Sequence, residues 1–469
     1  MISTAHKPDP RFGRSETMGT RSIGRLLVSF SLPGMVAMVV NATYNIVDTA
    51  FVGRLGHEAI AALTVVWPLQ LVMIALSVGV GVGANSLIAR RLGASRHSEA
   101  NHAGAQALVL AVLSGMLVMA AVLSLTDPIL FLLGARGAVL PLAREYIRTI
   151  VWFAPLVFLP MAANNIIRAE GNPVYSMAIM VVSALVNIAL DPVLIFGLGP
   201  APALGVRGAA IATVAARVVA VAGYAAYFLS RHSGYRFRLR DFRPAPRVWA
   251  SIYAVGAPSM VIQLSSSVTF ALANNIAVGF GSMALAAFGV MFRLFQFGFM
   301  PCVGISQGVL SLVGYNHGAG NLGRVRAFVR AGALAAVAIT GGFSLLFVLF
   351  PGTFVGLFNP SPEFIALAGP GLRITSLLFG PVGASVVFAA FFQGIGRALP
   401  AMFLSLARQV VFFLPGLLLL PRLFGLTGLW AAIPVADGLS IIASLTWTAW
   451  MFRRLGVPLF ATGGRRSRG

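Results

Sequence analysis

The stretch PGMVAMVVNATYNIVD, residues 33–48, decides the reading of this chain. It is apolar enough to lie in a membrane, yet it ends on a carboxylic acid. A charged side chain at the centre of a bilayer costs about 3 kcal/mol even on lenient scales. Such residues therefore face a bundle interior or a water-filled cavity and mark ion or substrate paths. Asn41, Tyr44, Asn45 and Asp48 are spaced i, i+3, i+4 and i+7, which puts all four on one face of a helix. The helix is thus polar on one side and apolar on the others.

The rest of the chain agrees with a membrane setting. Of its 469 residues 58% are hydrophobic and only 10% charged, against about 25% charged in ordinary soluble domains. Apolar runs of about 20 residues recur, each long enough to cross the hydrocarbon core. The short alternating segments of a β-barrel are absent. The pattern predicts an all-α integral membrane protein with spans near 26–53, 58–88, 101–125, 141–166, 173–197, 205–230, 248–280, 282–313, 326–350, 364–393, 398–421 and 425–452. The basic stretch before the first run is followed by an apolar segment too long for a signal-peptide core, so that segment is expected to be a retained first helix.

The net charge of +22 lies in loops and termini, so it reads as a topology signal and no nucleic-acid partner is expected. Arg90, Arg91 and Arg96 follow span 2, Arg168 follows span 4, and Arg231, Arg236, Arg238, Arg240, Arg243 and Arg247 follow span 6. Arg324 and Arg326 follow span 8, and Arg397 follows span 10. Both termini are basic too, through Lys7, Arg11, Arg14, Arg21 and Arg25 at one end and Arg453, Arg454, Arg465, Arg466 and Arg468 at the other. The opposite loops hold fewer, chiefly Arg54, Arg136, Arg207 and Arg422. By the positive-inside rule both termini are cytoplasmic, which needs an even number of spans, and twelve satisfies it.

The two halves repeat. Pro33 and Pro258 stand 225 positions apart, and the same offset joins Met35 to Met260, Gly56 to Gly281, Gly83 to Gly308, Gly93 to Gly318 and Gly171 to Gly396. One register held across turn glycines and a helix proline marks a duplication. Six spans per half send both halves into the membrane in the same direction, so two pseudo-symmetric six-helix lobes around a central cavity are expected. The predicted organisation is a cytoplasmic N-terminus over 1–25, a first lobe over 26–230, a linker over 231–247, a second lobe over 248–452 and a cytoplasmic C-terminus over 453–469.

Symmetry also isolates the acid. The counterpart of Asp48 is Ala273 and that of Asn41 is Ser266, so the polar stripe belongs to the first lobe alone. A second first-lobe acid stands in NIALDP, where Asn187 and Asp191 share a face and Pro192 frees a carbonyl one turn back. That arrangement suits a hydrogen-bond or cation site, the alternative being an acid hydrated at the outer helix end. Asp437 in span 12 reads as half of a structural ion pair, with Arg293, Arg373 and Arg408 as candidate partners. Spans 6 and 12 align through Gly208 and Gly428, which places Arg217 opposite Asp437 and leaves Arg217 with no evident partner.

Enzymatic readings find little in the residues. Lys7 is the single lysine, which removes a Walker A lysine and an intramembrane Schiff base. Cys302 is the single cysteine, which removes an intrachain disulfide and a cysteine metal site. The six histidines fall in loops, termini or span ends, without metal spacing or a triad partner. Asp48 and Asp191 could in principle pair as in an aspartyl protease, but the duplication and the asparagine-rich surroundings favour transport.

The residues resemble a known family at this point. YNIVDTAFVGRLG (44–56) is similar to the first helix of the multidrug and toxic compound extrusion (MATE) transporters, and ARRLGAS (89–95) to their loop after the second helix. RAEGNP (168–173) and NIALDP (187–192) complete a set that covers most of the chain. The resemblance implies a secondary active antiporter that exports cationic or amphipathic organic compounds in exchange for H+ or Na+. It needs no other cofactor and works as a monomer in a bacterial cytoplasmic membrane. The match is to the DinF-like branch, whose first-lobe cation site falls on Asp48, Asn187, Asp191 and Thr213. Pro33 matches the proline where that first helix bends, and Tyr44, Tyr146 and Asn164 match positions lining the cavity beside Asn41 and Asn45. A second-lobe glutamate of other branches would fall about where Ser266 stands, so coupling of that type is not expected. A flippase for lipid-linked saccharides, a passive channel and a membrane enzyme are the rival readings.

Overall fold

The computed structural model describes residues 12–198 and 202–460; Lys7, Arg11, Arg465, Arg466 and Arg468 lie outside them. All regular structure among the described residues is helical. In chain order the helices are α1 (Gly13–Thr20), α2 (Ile23–Gly53), α3 (His57–Gly93), α4 (His97–Ser124), α5 (Thr126–Leu132), α6 (Val139–Trp152), α7 (Ala154–Glu170), α8 (Pro173–Phe196) and α9 (Gly205–Leu229). The second half supplies α10 (Pro246–Val278), α11 (Ser282–Gly318), α12 (Leu322–Leu349), α13 (Pro351–Gly356), α14 (Pro362–Ser376), α15 (Phe379–Gly394), α16 (Ala398–Leu406) and α17 (Leu414–Arg454). A π-helical turn, Ala407–Phe413, joins α16 to α17.

Among the described residues twelve spans result when each bent pair is taken as one and the last long helix is divided at its kink. Two of them, expected as single helices over 141–166 and 364–393, are bent pairs: α6 meets α7 at 54° and α14 meets α15 at 47°. The physical reason is the same in each half. Pro155 and Pro381 lack the N–H that would continue the helix across the junction, so the chain breaks just before them. The last two spans run together until Phe424 and Gly425, whose non-helical backbone ends one and starts the next. The short α5 and α13, unexpected from hydropathy, occupy corresponding places in the two halves.

The repeated glycines now have causes. Gly56 and Gly281 have φ of +119° and +101°, and Gly171 and Gly396 have +100° and +79°, a region that side-chain-bearing residues avoid. Gly208 and Gly428 are repeated for closeness instead. A Cβ on either would collide with the backbone of the preceding span, at Leu194 and Leu420 respectively.

Two compact units emerge, and they do not follow the linear halves residue for residue. Among the described residues one comprises 12–18 and 36–264, the other 19–35 and 265–460. Within the first unit, a Cβ on Gly79 of α3 would run into Met260 and stand 2.8 Å from the Gly256 carbonyl oxygen of α10. Within the second, a Cβ on Gly304 of α11 would stand 2.5 Å from the Met35 nitrogen of α2. Gly79 with Met260 and Gly304 with Met35 are the same contact under the 225 offset. Each repeat thus sends the start of its first helix into the other unit, and the exchange falls close to Pro33 and Pro258.

The linker is docked in the first unit rather than loose. Gln106 of α4, fully buried, donates to the carbonyls of Asp241 (2.6 Å) and Arg243 (2.7 Å) and accepts from the Ala245 N–H (3.0 Å) and the Trp249 indole (2.8 Å). Asn101 binds the Arg236 backbone on both its N–H and carbonyl sides. Tyr235 is fully buried, and burial pushes its phenol up, so it stays a donor, to the Ile166 carbonyl at 3.2 Å.

Candidate functional site

The site is built on α2 and α8 of the first unit. α2 runs unbroken through Pro33 and carries Asn41, Tyr44, Asn45 and Asp48 on one face, as the spacing predicts. Asn45 turns its amide inward along the helix, donating to the Asn41 carbonyl at 2.7 Å and to the Asn41 side chain at 3.2 Å. Asp48 lies one turn further on, buried at 8% exposure, and its Oδ1 accepts no hydrogen bond.

On α8, Asn187 donates to Asp191 Oδ1 at 3.3 Å. Asp191 is fully buried and not hydrated at a helix end, and Asn187 is 2% exposed. Asn187 Oδ1 and Asp191 Oδ2 are both without donors. Asp48 and Asp191 are close enough for one carboxylate to feel the other. The unit therefore holds three buried acceptor oxygens, from Asp48, Asn187 and Asp191, with nothing protein-borne to satisfy them. A proton or a small oxygen-seeking cation is the chemistry that would. Among the described residues no cluster of three histidine, cysteine or acidic side chains forms a metal site.

Of the expected lining residues, Tyr146 reaches this centre, while Asn164 and Thr213 bond neither acid. Tyr146, 4% exposed, lies within electrostatic range of Asp48, Tyr44 and Asp191, and its hydroxyl accepts from Gln70 at 3.4 Å. Asn164 donates to the Tyr224 hydroxyl at 3.1 Å. Thr213 is half-buried on α9 and hydrogen-bonds neither acid. One turn beyond it on α9, Arg217 donates to the Tyr44 hydroxyl at 3.1 Å, a contact the sequence did not suggest. Gln70 and Tyr224 were also missed. Their signal was weak, since each lies in a long apolar helix without a polar stripe like that of α2.

The second unit treats the corresponding positions differently. Ala273, opposite Asp48, is 1% exposed and packed in an apolar core with Met291, Phe347 and Trp430. Ser266, opposite Asn41, accepts from Gln409 at 2.9 Å. Asp437 is bound by Arg408 through Nε at 2.7 Å and Nη2 at 2.6 Å, the structural ion pair expected, with Arg408 as its partner among the three candidates.

Comparison with known proteins follows the same lines. The MatE family model matches residues 33–193 and again 258–418. The two matches have equal length and start 225 positions apart, the offset of the repeat. The chain belongs to the MATE family. It is 29% identical over 425 residues to the multidrug export protein MepA of Staphylococcus aureus (strain MSSA476), covering 90% of this chain and 92% of that one. An outward-facing multidrug resistance MATE family transporter of the MOP superfamily superposes with a TM-score of 0.88 at 28% identity, over 96% of this chain and 99% of that one. A MOP superfamily transporter from Pyrococcus furiosus Vc1 (DSM3638), described as having a reversed pocket polarity that suggests a different function, superposes equally well, with the same TM-score, identity and coverage. These relatives are transporters and not enzymes.

Proposed function

We propose that this MATE protein is a secondary active antiporter that exports cationic or amphipathic organic compounds and takes up H+ or Na+ in exchange. The observation that carries the reading is the set of unsatisfied buried oxygens on Asp48, Asn187 and Asp191. An ion entering this site neutralises the acids and weakens their hold on a cationic substrate. Ion and substrate then exclude each other, and exclusion combined with alternating access is what couples the two fluxes. Neutralisation also removes the cost of a carboxylate facing a dry environment, so helix α2 is free to bend at Pro33 once the acids are filled. The coupling follows the DinF-like pattern, with Thr213 completing the ion's oxygen shell. The substrates are small organic molecules, and the protein acts as a monomer in a bacterial cytoplasmic membrane with both termini inside.

The test is efflux from proteoliposomes with independently imposed pH and Na+ gradients and a panel of cationic dyes. Asp48→Asn should abolish gradient-driven efflux while the protein inserts and elutes from size exclusion normally. Gradient-driven efflux at the wild-type rate in that variant would sink the proposal.

A further inference from the structure

Arg217 is an intramembrane charge that the exchange mechanism leaves unused. It stands at the midpoint of α9, half-buried in the first unit. A guanidinium has five N–H donors and cannot shed its proton. Among the described residues Arg217 makes one hydrogen bond, to a neutral phenol, Tyr44, and no carboxylate lies within ion-pairing distance. The second unit supplies the contrast. There an arginine at membrane depth, Arg408, has both bonding nitrogens on Asp437, the residue that stands opposite Arg217 in the repeat. A membrane-embedded cation without a counter-charge is costly, and its remaining donors are set for an oxyanion.

Its surroundings say what kind of molecule would bring that oxyanion. Tyr44 and Asp48 are one turn apart on the same face of α2, so the phenol that Arg217 holds belongs to the same polar stripe as the acid. The Tyr224 hydroxyl is also within electrostatic range of Arg217. The polar stripe of α2 thus carries an acid, Asp48, and through Tyr44 a donor-rich cation. A simple organic cation satisfies only the first. A zwitterion, with an ammonium for the acids and a carboxylate for the guanidinium, satisfies both.

We propose that Arg217, buttressed by Tyr44, is the specificity determinant by which the first-lobe site selects organic cations that also carry a carboxylate. The inference rests on the export reading above, with Asp48 and Asp191 holding the cationic end. Planar bidentate pairing makes arginine the fitting residue, and a lysine would replace it only in part.

A matched pair of dyes tests this: rhodamine B, which carries a free carboxylate, and its ethyl ester, which does not. Both binding to the purified protein and efflux from proteoliposomes are measured, for the wild type and for Arg217→Met and Arg217→Lys. The wild type should favour rhodamine B. In Arg217→Met the ratio of rhodamine B to ester, in binding and in efflux, should fall about tenfold, as expected for one charge-assisted pair. Arg217→Lys should fall between. A merely structural brace between α9 and Tyr44 would depress both dyes together and leave the ratio unmoved, which overturns the proposal. So does a wild type that binds the ester as tightly as the acid. Arg217-dependent selectivity in binding, without gradient-driven efflux of either dye, would instead count against the antiporter reading and leave the specificity assignment standing.

Discussion

At the residue scale, the two lobes answer the same problem in opposite ways. Both place a charge at depth in their sixth span, and only the second neutralises it within the protein. Asp437 is 3% exposed while its partner Arg408 keeps 40% of its side chain accessible. Removing the acid therefore strands a cation that can still reach water in part. Asp437→Ala is expected to cost about 1–3 kcal/mol, less than a fully buried pair would. It should show as a lower thermal midpoint in detergent, and the added change Arg408→Leu should recover most of the loss. Asp48 carries no such partner, so Asp48→Asn should be nearly neutral in stability and severe in transport. The polar stripe of α2 was legible from spacing alone. The burial of Asp191 was not, because the sequence placed it equally well inside the bundle or hydrated at a helix end.

At the scale of the element, proline and glycine set what each helix can do. Pro33 removes one N–H from the interior of α2 and leaves the Ser29 carbonyl without its helical donor, a defect worth up to about 3 kcal/mol. Pro33→Ala should thus raise the thermal midpoint while slowing efflux, since the helix gains a bond and loses its point of flexure. Equal or faster turnover in that variant would remove bending at Pro33 from the mechanism. Gly79 makes the opposite kind of demand. Gly79→Val must push α10 away from α3, at about 1–3 kcal/mol or more, and should cut the yield of monodisperse protein. Gly342→Ala, where the added carbon meets nothing within 4 Å, should leave the yield alone. That the glycines repeat was visible in the sequence. Which ones serve φ and which serve close approach was visible only in the packing.

At the scale of the whole molecule, the segment between the repeats is fastened to the first unit by several contacts, among which one buried side chain makes four bonds. Gln106 satisfies two carbonyls, a backbone N–H and an indole at once. Gln106→Leu leaves all four without it and should cost about 1–3 kcal/mol, read as faster hydrogen exchange across residues 241–245 with the transmembrane helices still protected. The sequence by itself determined the membrane class, the twelve spans, the duplication and the acid peculiar to one lobe. Those properties follow from hydropathy, charge placement and register, which local composition carries. Only the tertiary structure decided that each first helix begins in the other unit, that two spans are bent pairs, that Arg408 answers Asp437 and that Tyr44 meets Arg217. Such pairings join residues far apart in the chain, and they depend on how helices cross and how closely a missing Cβ lets them approach. The acid at the end of residues 33–48 announced a site; the unmet oxygens of Asp191 and Asn187, and the guanidinium held on Tyr44, exist only once the helices are packed.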